Sequence, residues 1–314
     1  MHERSYMKIA IIGAGAMGSI FGAMLSKVSD VVLINPDNKH VFAITEKGLL
    51  IENADSILSS YRLKVYTDYK KVEDRFNLAI IFTKAYSTKK ASLAAKYILT
   101  KEGIALTMQN GIGNFEVIAD IVSKNRVVAG TTSHGATLVK PGHVRHAGTG
   151  PTYIADNLIY KEMVEKIAKI FNMAGIKTSI SKNMESLIWG KLVINVGINA
   201  LTAILKVPNG ILGITKECEK IMKRAVLEAV EVASALEIKL PFDNPFEQVK
   251  KVCANTANNR ASMLQDTMRG SRTEIGVINR AIVEKGEKLG ILTPYNEFLS
   301  EVIEALESTY DYQF

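Results

Sequence analysis

From Met7 onward the chain alternates short β-branched apolar runs with stretches whose apolar residues recur at helical spacing. Lys8–Gly13, Asp30–Asn35, Leu78–Thr83, Ala105–Gln109 and Arg126–Thr131 read as strands. Their near-continuous apolar character is that of strands buried on both faces. Ala16–Val28, Lys89–Leu99 and Asn114–Val122 read as helices between them. Such alternation predicts a mostly parallel, doubly wound sheet. Gly142–Ile154 reads as further strand and Lys161–Met173 as a helix, while the residues ahead of Met7 read as a loose extension.

After about Ser181 the pattern turns helical throughout. Met184–Leu205, Lys216–Leu236, Phe246–Met268, Thr273–Leu289 and Pro294–Ser308 carry the period, and Pro and Gly fall mostly between them. The expected class is therefore α/β, with a doubly wound N-terminal domain over residues 1–181 and an all-helical C-terminal domain over 182–314.

Composition narrows the choice. The 314 residues are 47% hydrophobic and 23% charged, an ordinary globular balance with enough apolar mass for a sizeable core. The net charge of +7 is spread without any long basic run. With no recognition motif and little aromatic interleaving, the pattern argues against a nucleic-acid partner. Cys218 and Cys253 stand far apart, which offers neither a metal site nor a disulfide framework and points to a cytoplasmic chain. The uncharged run Ile9–Ser26 is broken by Gly13, Gly15, Gly18 and Gly22, and Leu192–Leu205 is too short to span a bilayer, so no membrane segment is expected.

Gly13, Ala14, Gly15, Ala16, Met17 and Gly18 form a G-x-G-x-x-G between a strand and a helix. The first glycine allows the turn, the second lets backbone approach a pyrophosphate, and the third lets helix pack on strand. The helix N-terminus then offers free N–H groups and a positive dipole end to phosphates. In this context the N-terminal domain is Rossmann-type and the ligand a dinucleotide. The second strand ends in Asn35, where NAD enzymes commonly carry an acid; Asp37 suits a ribose hydroxyl and Lys39 a 2′-phosphate.

Farther on, Lys191, Asn195 and Asn199 recur every fourth residue in an otherwise apolar helix. Each such step turns the helix by about 40°, so the three share one face. Buried and unsatisfied, they would cost several kcal/mol. Either a polar ligand in a cleft or backbone carbonyls at a domain interface satisfies them. A second polar cluster holds Ser262, Gln265, Asp266 and Glu274. There Asp266 is spaced to pair with Arg269, and Glu274 to sit in a first helical turn.

Taken in order, Gly13–Gly18, Thr83-Lys-Ala85, Gln109-Asn-Gly-Ile-Gly113, Thr131-Thr-Ser-His134, Lys191–Asn199, Ser262-Met-Leu-Gln-Asp266 and Thr273-Glu-Ile275 resemble the ketopantoate reductase (2-dehydropantoate 2-reductase) family over nearly the whole chain. The resemblance implies NADPH-dependent reduction of 2-dehydropantoate to pantoate, toward pantothenate and coenzyme A. It implies Lys191 as the catalytic acid. Asn195, Asn199, Ser262 and Glu274 would hold the substrate's hydroxyls and carboxylate, Asn110 would sit by the nicotinamide, and Lys84 would lie near the cofactor. One departure is plain: Asn35-Pro-Asp-Asn-Lys39 has no arginine where family members grip the 2′-phosphate, which admits NADH beside NADPH. The partner expected is a small keto acid, and a homodimer is compatible with the sequence. Two other readings stand beside this one. One is a related two-domain dehydrogenase for another 2-keto or 3-hydroxy acid. The other is a non-catalytic NADPH-sensing regulator, which would have no need of the lysine.

Overall fold

The structure is a computed structural model that describes residues 7–36 and 38–313. The N-terminal extension and Asp37 lie outside the described residues. The chain forms two compact units. One comprises the chain before Asn110 together with Gly113–Met184, and the other comprises Asn110–Ile112 together with the chain after Met184.

The first unit runs β1 (Lys8–Ile12), α1 (Ala16–Leu25), β2 (Asp30–Ile34), α2 (Lys39–Lys47), β3 (Leu49–Glu52), β4 (Leu58–Tyr61), β5 (Lys64–Tyr66), β6 (Phe76–Ile81), α3 (Thr88–Ile98), β7 (Leu99–Thr107), α4 (Asn114–Val122), β8 (Val127–Thr132), β9 (Gly135–Lys140), β10 (His143–Gly148), β11 (Thr152–Ala155), α5 (Lys161–Met173) and β12 (Thr178–Ser181). Eight strands make one sheet in the order β12-β11-β8-β7-β6-β1-β2-β5, parallel except where β11 meets β8. Residues alternate across it as a pleated strand requires. Along β1, Ile9 and Ile11 enter the core shared with Phe21 and Phe171, while Ala10 and Ile12 enter the opposite core with Ala91 and Ile118. The connection leaving β1 goes to β2 on one side, and β6 adds on the other, so the strand order reverses at β1. In open α/β sheets the crevice at the carboxyl ends of such strands is where ligands bind.

A second sheet, β4-β3-β10-β9, was not expected from the sequence. Gly142–Ile154, expected as a single stretch of strand, divides at Thr149-Gly-Pro151 into β10 and β11, which belong to different sheets. His40, at the start of α2, fastens this sheet to α1. Its Nδ1 accepts the Gly142 N–H at 2.9 Å, so Nε2 carries the proton and faces Ser19 Oγ at 3.1 Å. Burial lowers the His40 pKa and favours this neutral form.

The second unit holds α6 (Met184–Leu205), α7 (Asn209–Ile214), α8 (Lys216–Ala235), α9 (Pro245–Asn255), α10 (Ser262–Thr267), α11 (Asn279–Leu289) and α12 (Pro294–Ser308). Its core gathers Leu192, Val193 and Val196 of α6 with Met222, Val226, Val249, Ile282 and Ile303. By length and composition α6 would suit a bilayer, but it is mostly buried inside this core. Two glycines admit its neighbours. A Cβ on Gly190 would come within 2.6 Å of Pro241, and one on Gly197 within 2.8 Å of Val226. Phe246–Met268, expected as one helix, breaks between α9 and α10, where the carbonyls of Ala257 and Asn259 receive the N–H groups of Gly210 and Asn209. Thr273–Leu289 likewise is α-helical only from Asn279, after a single 3-10 turn at Ile275–Val277.

A buried polar network pins α6 from behind. Asn279 Nδ2 donates to the Val196 carbonyl at 3.3 Å and to Asn296 Oδ1 at 3.0 Å. Asn296 Nδ2 donates to Ala225 O, and Glu228 accepts the N–H groups of Tyr295 and Asn296 at 2.9 Å each. Glu228 thus caps α12 with a charged acceptor. Hydrogen bonds to a charged group are worth about 1.5–3 kcal/mol each, so Glu228→Ala is expected to destabilise the protein by roughly 3 kcal/mol. Urea unfolding measures this, and a loss below about 0.5 kcal/mol, the level of an ordinary surface substitution, would remove the cap from the account.

Candidate active site

In the first unit the polypeptide turns from β1 into α1 at the carboxyl edge of the sheet. Gly13 has φ +100°, and a Cβ there would lie 2.7 Å from the Thr83 nitrogen. A Cβ on Gly18 would fall 2.0 Å from the Gly13 carbonyl oxygen. The protein's own packing therefore requires both glycines. Gly15 differs: a Cβ there meets nothing within 4 Å, and its φ of −74° is open to any residue. Nothing in the fold asks for glycine at Gly15, whereas a group approaching the N-terminus of α1 would. The residues present therefore fit a pyrophosphate.

The loop's surroundings were less visible in the sequence. Ala14 donates its N–H to Asn35 Oδ1 at 3.0 Å, so the residue at the tip of β2 holds the glycine turn. Gln109, at the end of β7, donates from Nε2 to the Thr83 carbonyl at 2.9 Å and to Thr88 Oγ1 at 2.8 Å, while its Oε1 accepts from Thr107 at 3.1 Å. One carboxamide thus ties the ends of β6 and β7 to the start of α3. The only local sign of it is a polar residue closing an apolar run. Lys84 opens the 3-10 turn Ala85–Ser87 just after Thr83 and is half-buried.

In the second unit Lys191, Asn195 and Asn199 stand on successive turns of α6; Lys191 and Asn195 are half-buried and Asn199 is buried. Burial pulls the Lys191 pKa down to about 8, against the pull of the Glu274 charge, which raises it. Glu274 is itself buried and sits ahead of the turn Ile275–Val277, not in a first α-helical turn. Asn110 Nδ2 reaches Glu274 Oε2 at 3.4 Å. The Asn110–Ile112 segment is anchored beside it: the Ile112 N–H bonds the Val277 carbonyl, and a Cβ on Gly111 would come 2.3 Å from that same oxygen. Lys191, Glu274 and Asn110, from three distant parts of the chain, therefore form one group. Ser262 begins α10 and is half-buried. Among the described residues, no hydrogen bond links the side chains of Ser262, Asn195 and Asn199 to that group. Asp266 pairs with Arg269 at 3.1 Å, as its spacing suggested.

The arrangement can hold a protonated amine beside a carboxylate on an apolar helix, and an anion at a glycine-lined helix start. Fold and loop define a Rossmann-type unit joined to a helical one. Family models described as "Ketopantoate reductase PanE/ApbA" and its C-terminal part match residues 9–158 and 183–307. The chain belongs to the ketopantoate reductase PanE/ApbA family. It is 34% identical to a 2-dehydropantoate 2-reductase of Halobacterium salinarum over 95% of this chain and 98% of the relative, and 35% identical to that of Pyrococcus abyssi over 96% and 98%. Among solved structures, a PanE/ApbA family ketopantoate reductase from Ralstonia eutropha superposes with a TM-score of 0.89 at 32% identity, covering 98% of this chain and all of that one. A ternary structure of D-mandelate dehydrogenase with NADH and anilino(oxo)acetate gives a TM-score of 0.90 at 32% identity, covering 97% of this chain and all of that one.

The glycines supply a paired test. Gly18→Ala is expected to cost about 1–3 kcal/mol of stability through overpacking. Gly15→Ala is expected to cost only about 0.5–1 kcal/mol as a helix N-cap change. It should nevertheless weaken dinucleotide binding roughly tenfold or more, the loss of about one charged hydrogen bond. Thermal melts and fluorescence titration with NADPH and NADH read the two effects separately. Wild-type affinity in Gly15→Ala would show that nothing approaches the loop there.

Proposed function

We propose that this chain reduces 2-dehydropantoate to pantoate with a reduced nicotinamide dinucleotide, Lys191 supplying the proton. The observation that carries the reading is the Lys191, Glu274 and Asn110 group, within a chain of this family whose relatives bear the name of that activity. In this reading residues 1–181 carry the dinucleotide and residues 182–314, with Asn110, the keto acid. The setting is cytoplasmic. Exposed Leu292 and Phe298 suit a homodimer contact, which sedimentation would register as a doubled mass.

Gly13, Ala14, Gly15, Ala16, Met17 and Gly18 would hold the cofactor's pyrophosphate, with Lys84 of the same unit near it. When bound, the cofactor supplies hydride to the carbonyl carbon. Charge then builds on the carbonyl oxygen, where Lys191 Nζ holds a proton. An ammonium brought down to about 8 gives that proton up more readily than one at the usual 10.5, and it remains largely charged at neutral pH. Glu274 keeps the ammonium formed and aimed, and Asn110 orients the carboxylate in turn. Asn195, Asn199 and Ser262 would take the substrate's hydroxyl and carboxylate. A second reading, another 2-keto acid dehydrogenase, is favoured by the likeness to D-mandelate dehydrogenase, whose ligand carries a carbonyl next to a carboxylate.

Two measurements weigh these readings. Lys191→Ala is expected to lower kcat by roughly two to four orders of magnitude, the range of general acid catalysis, with dinucleotide affinity and melting temperature little changed. Near-normal turnover would make the lysine structural. For the substrate, a site built to bond a hydroxyl rejects analogues lacking it by up to about four orders of magnitude. Ketopantoate should therefore be reduced far faster than 2-ketoisovalerate or benzoylformate. Equal kcat/KM for ketopantoate and 2-ketoisovalerate would favour the second reading. No turnover of any keto acid, with dinucleotide still bound, would favour a sensor.

A further inference from the structure

We infer that His40 is a positioning residue for the dinucleotide: acting through Ser19, it holds the Ala14 carbonyl inward and keeps the Gly15 N–H aimed at the ligand. The inference rests on the dinucleotide reading above and concerns a buried side chain outside the glycine loop. The chain of bonds starts at the turn between β9 and β10, where Gly142 is clamped. Its carbonyl accepts the Leu50 N–H at 2.8 Å, and a Cβ on it would come within 2.9 Å of Ala43 in α2. Its N–H meets His40 Nδ1 at 2.9 Å in a buried setting. A buried N–H without an acceptor is costly, so Nδ1 must stay bare. The backbone of His40 is fixed as well, because Asn38 Oδ1 accepts the N–H groups of His40 and Val41 at 3.0 and 2.9 Å.

With Nδ1 bare, the neutral imidazole carries its proton on Nε2 and donates it to Ser19 Oγ, 3.1 Å away. Ser19 is fully buried, and its hydroxyl has one proton to give; the Ala14 carbonyl accepts it at 3.3 Å. Each bond thus has a fixed direction, from Gly142 to Ala14. Asn35 already holds the Ala14 N–H, so the hydroxyl fixes the other end of that residue. The peptide joining Ala14 to Gly15 is planar and trans, and its N–H points opposite to its C=O. A carbonyl drawn toward Ser19 therefore turns the Gly15 N–H outward, on the residue where an added Cβ meets nothing within 4 Å. That N–H is among the unsatisfied donors at the start of α1 that an anion meets.

The rival role for His40 is structural, fastening the second sheet and nothing more. The two roles separate because the two ring nitrogens do different work. Nδ1 serves the sheet through Gly142, and Nε2 serves the loop through Ser19. An asparagine side chain places its oxygen near the position of Nδ1, and a glutamine side chain places its nitrogen near that of Nε2. His40→Asn therefore keeps an acceptor for Gly142 and cuts the link to Ser19. His40→Gln keeps a donor for Ser19 and leaves the Gly142 N–H without its acceptor.

Fluorescence titration with NADPH and with NADH, without keto acid, is read beside thermal melts of the ligand-free protein. His40→Asn is expected to weaken both dinucleotides about tenfold, the loss of about one charged hydrogen bond, while melting closer to wild type than His40→Gln does. His40→Gln is expected to bind both dinucleotides nearly as wild type does, although it melts lower. Ser19→Ala, which removes only the linking hydroxyl, should reproduce the binding loss of His40→Asn. In 15N NMR the His40 ring is expected as the Nε2–H tautomer. Affinity that merely follows melting temperature across the three variants would make His40 structural and overturn the inference. Wild-type affinity in Ser19→Ala, or an Nδ1–H tautomer, would overturn it too. Should a His40 variant fail to fold, Ser19→Ala decides alone. Binding of neither dinucleotide by the wild-type protein would overturn the dinucleotide reading itself, and this inference with it.

Discussion

Lys191, the proposed proton donor, stands on a helix whose neighbours are almost all apolar, and that setting constrains the second unit around it. An isolated ammonium withdrawn from water loses its charge instead of bearing the full cost of desolvation. Glu274 opposes that loss, and because it is buried, it needs partners of its own. Asn110 is one of them, which explains why three residues from the far side of the sequence fold against the turn at Ile275–Val277. A helix carrying such a charge must also keep its rotation. Gly190 and Gly197 let Pro241 and Val226 close on it, and Asn279 bonds the Val196 carbonyl from the other face.

The dinucleotide loop obeys a different constraint. Its outer glycines answer to internal sterics: Gly13 against the end of β6, and Gly18 against Gly13 itself. The loop is then pinned by side chains that contribute no charge, Asn35 from β2 and Gln109 from β7. These bonds position without adding negative charge, so they leave the positive potential at the start of α1 undiminished. A mobile loop would have to be ordered by the ligand at the cost of affinity, and one tied at both strand ends is ordered beforehand.

How legible all this is in the sequence depends on how far each signal reaches along the chain. Buried parallel strands announce themselves as apolar runs, so the central strands β1, β2, β6, β7 and β8 and helices such as Asn114–Val122, Lys161–Met173 and Pro294–Ser308 could be read directly, whereas the edge strands β5 and β12 could not. The second sheet could not, because Leu58-Ser-Ser-Tyr61 is short and largely exposed, and β9 and β10 mix half-buried and exposed positions without a continuous apolar run. The breaks near Asn259 and Glu274 were also hidden, since partners distant in sequence cause them: Asn209 and Gly210 in one case, Gly111 and Ile112 in the other. The lysine–asparagine face stood out because polar residues at helical spacing in an apolar helix demand an explanation. The meeting of Asn110 with Glu274, 164 positions apart, left no local mark, and resemblance alone suggested a shared site.

The account stands or falls on the charge state of Lys191, which the pH dependence of kcat/KM for ketopantoate reduction reports most directly. In the proposed mechanism the reduction consumes the ammonium proton, so activity should be full below the lysine's pKa and decline as pH rises through about 8. Glu274→Gln removes the charge that raises that pKa, and the decline should move to lower pH. A flat profile from neutrality to about pH 10, or a midpoint indifferent to Glu274→Gln, would contradict the central claim that Lys191, held charged by Glu274, supplies the proton.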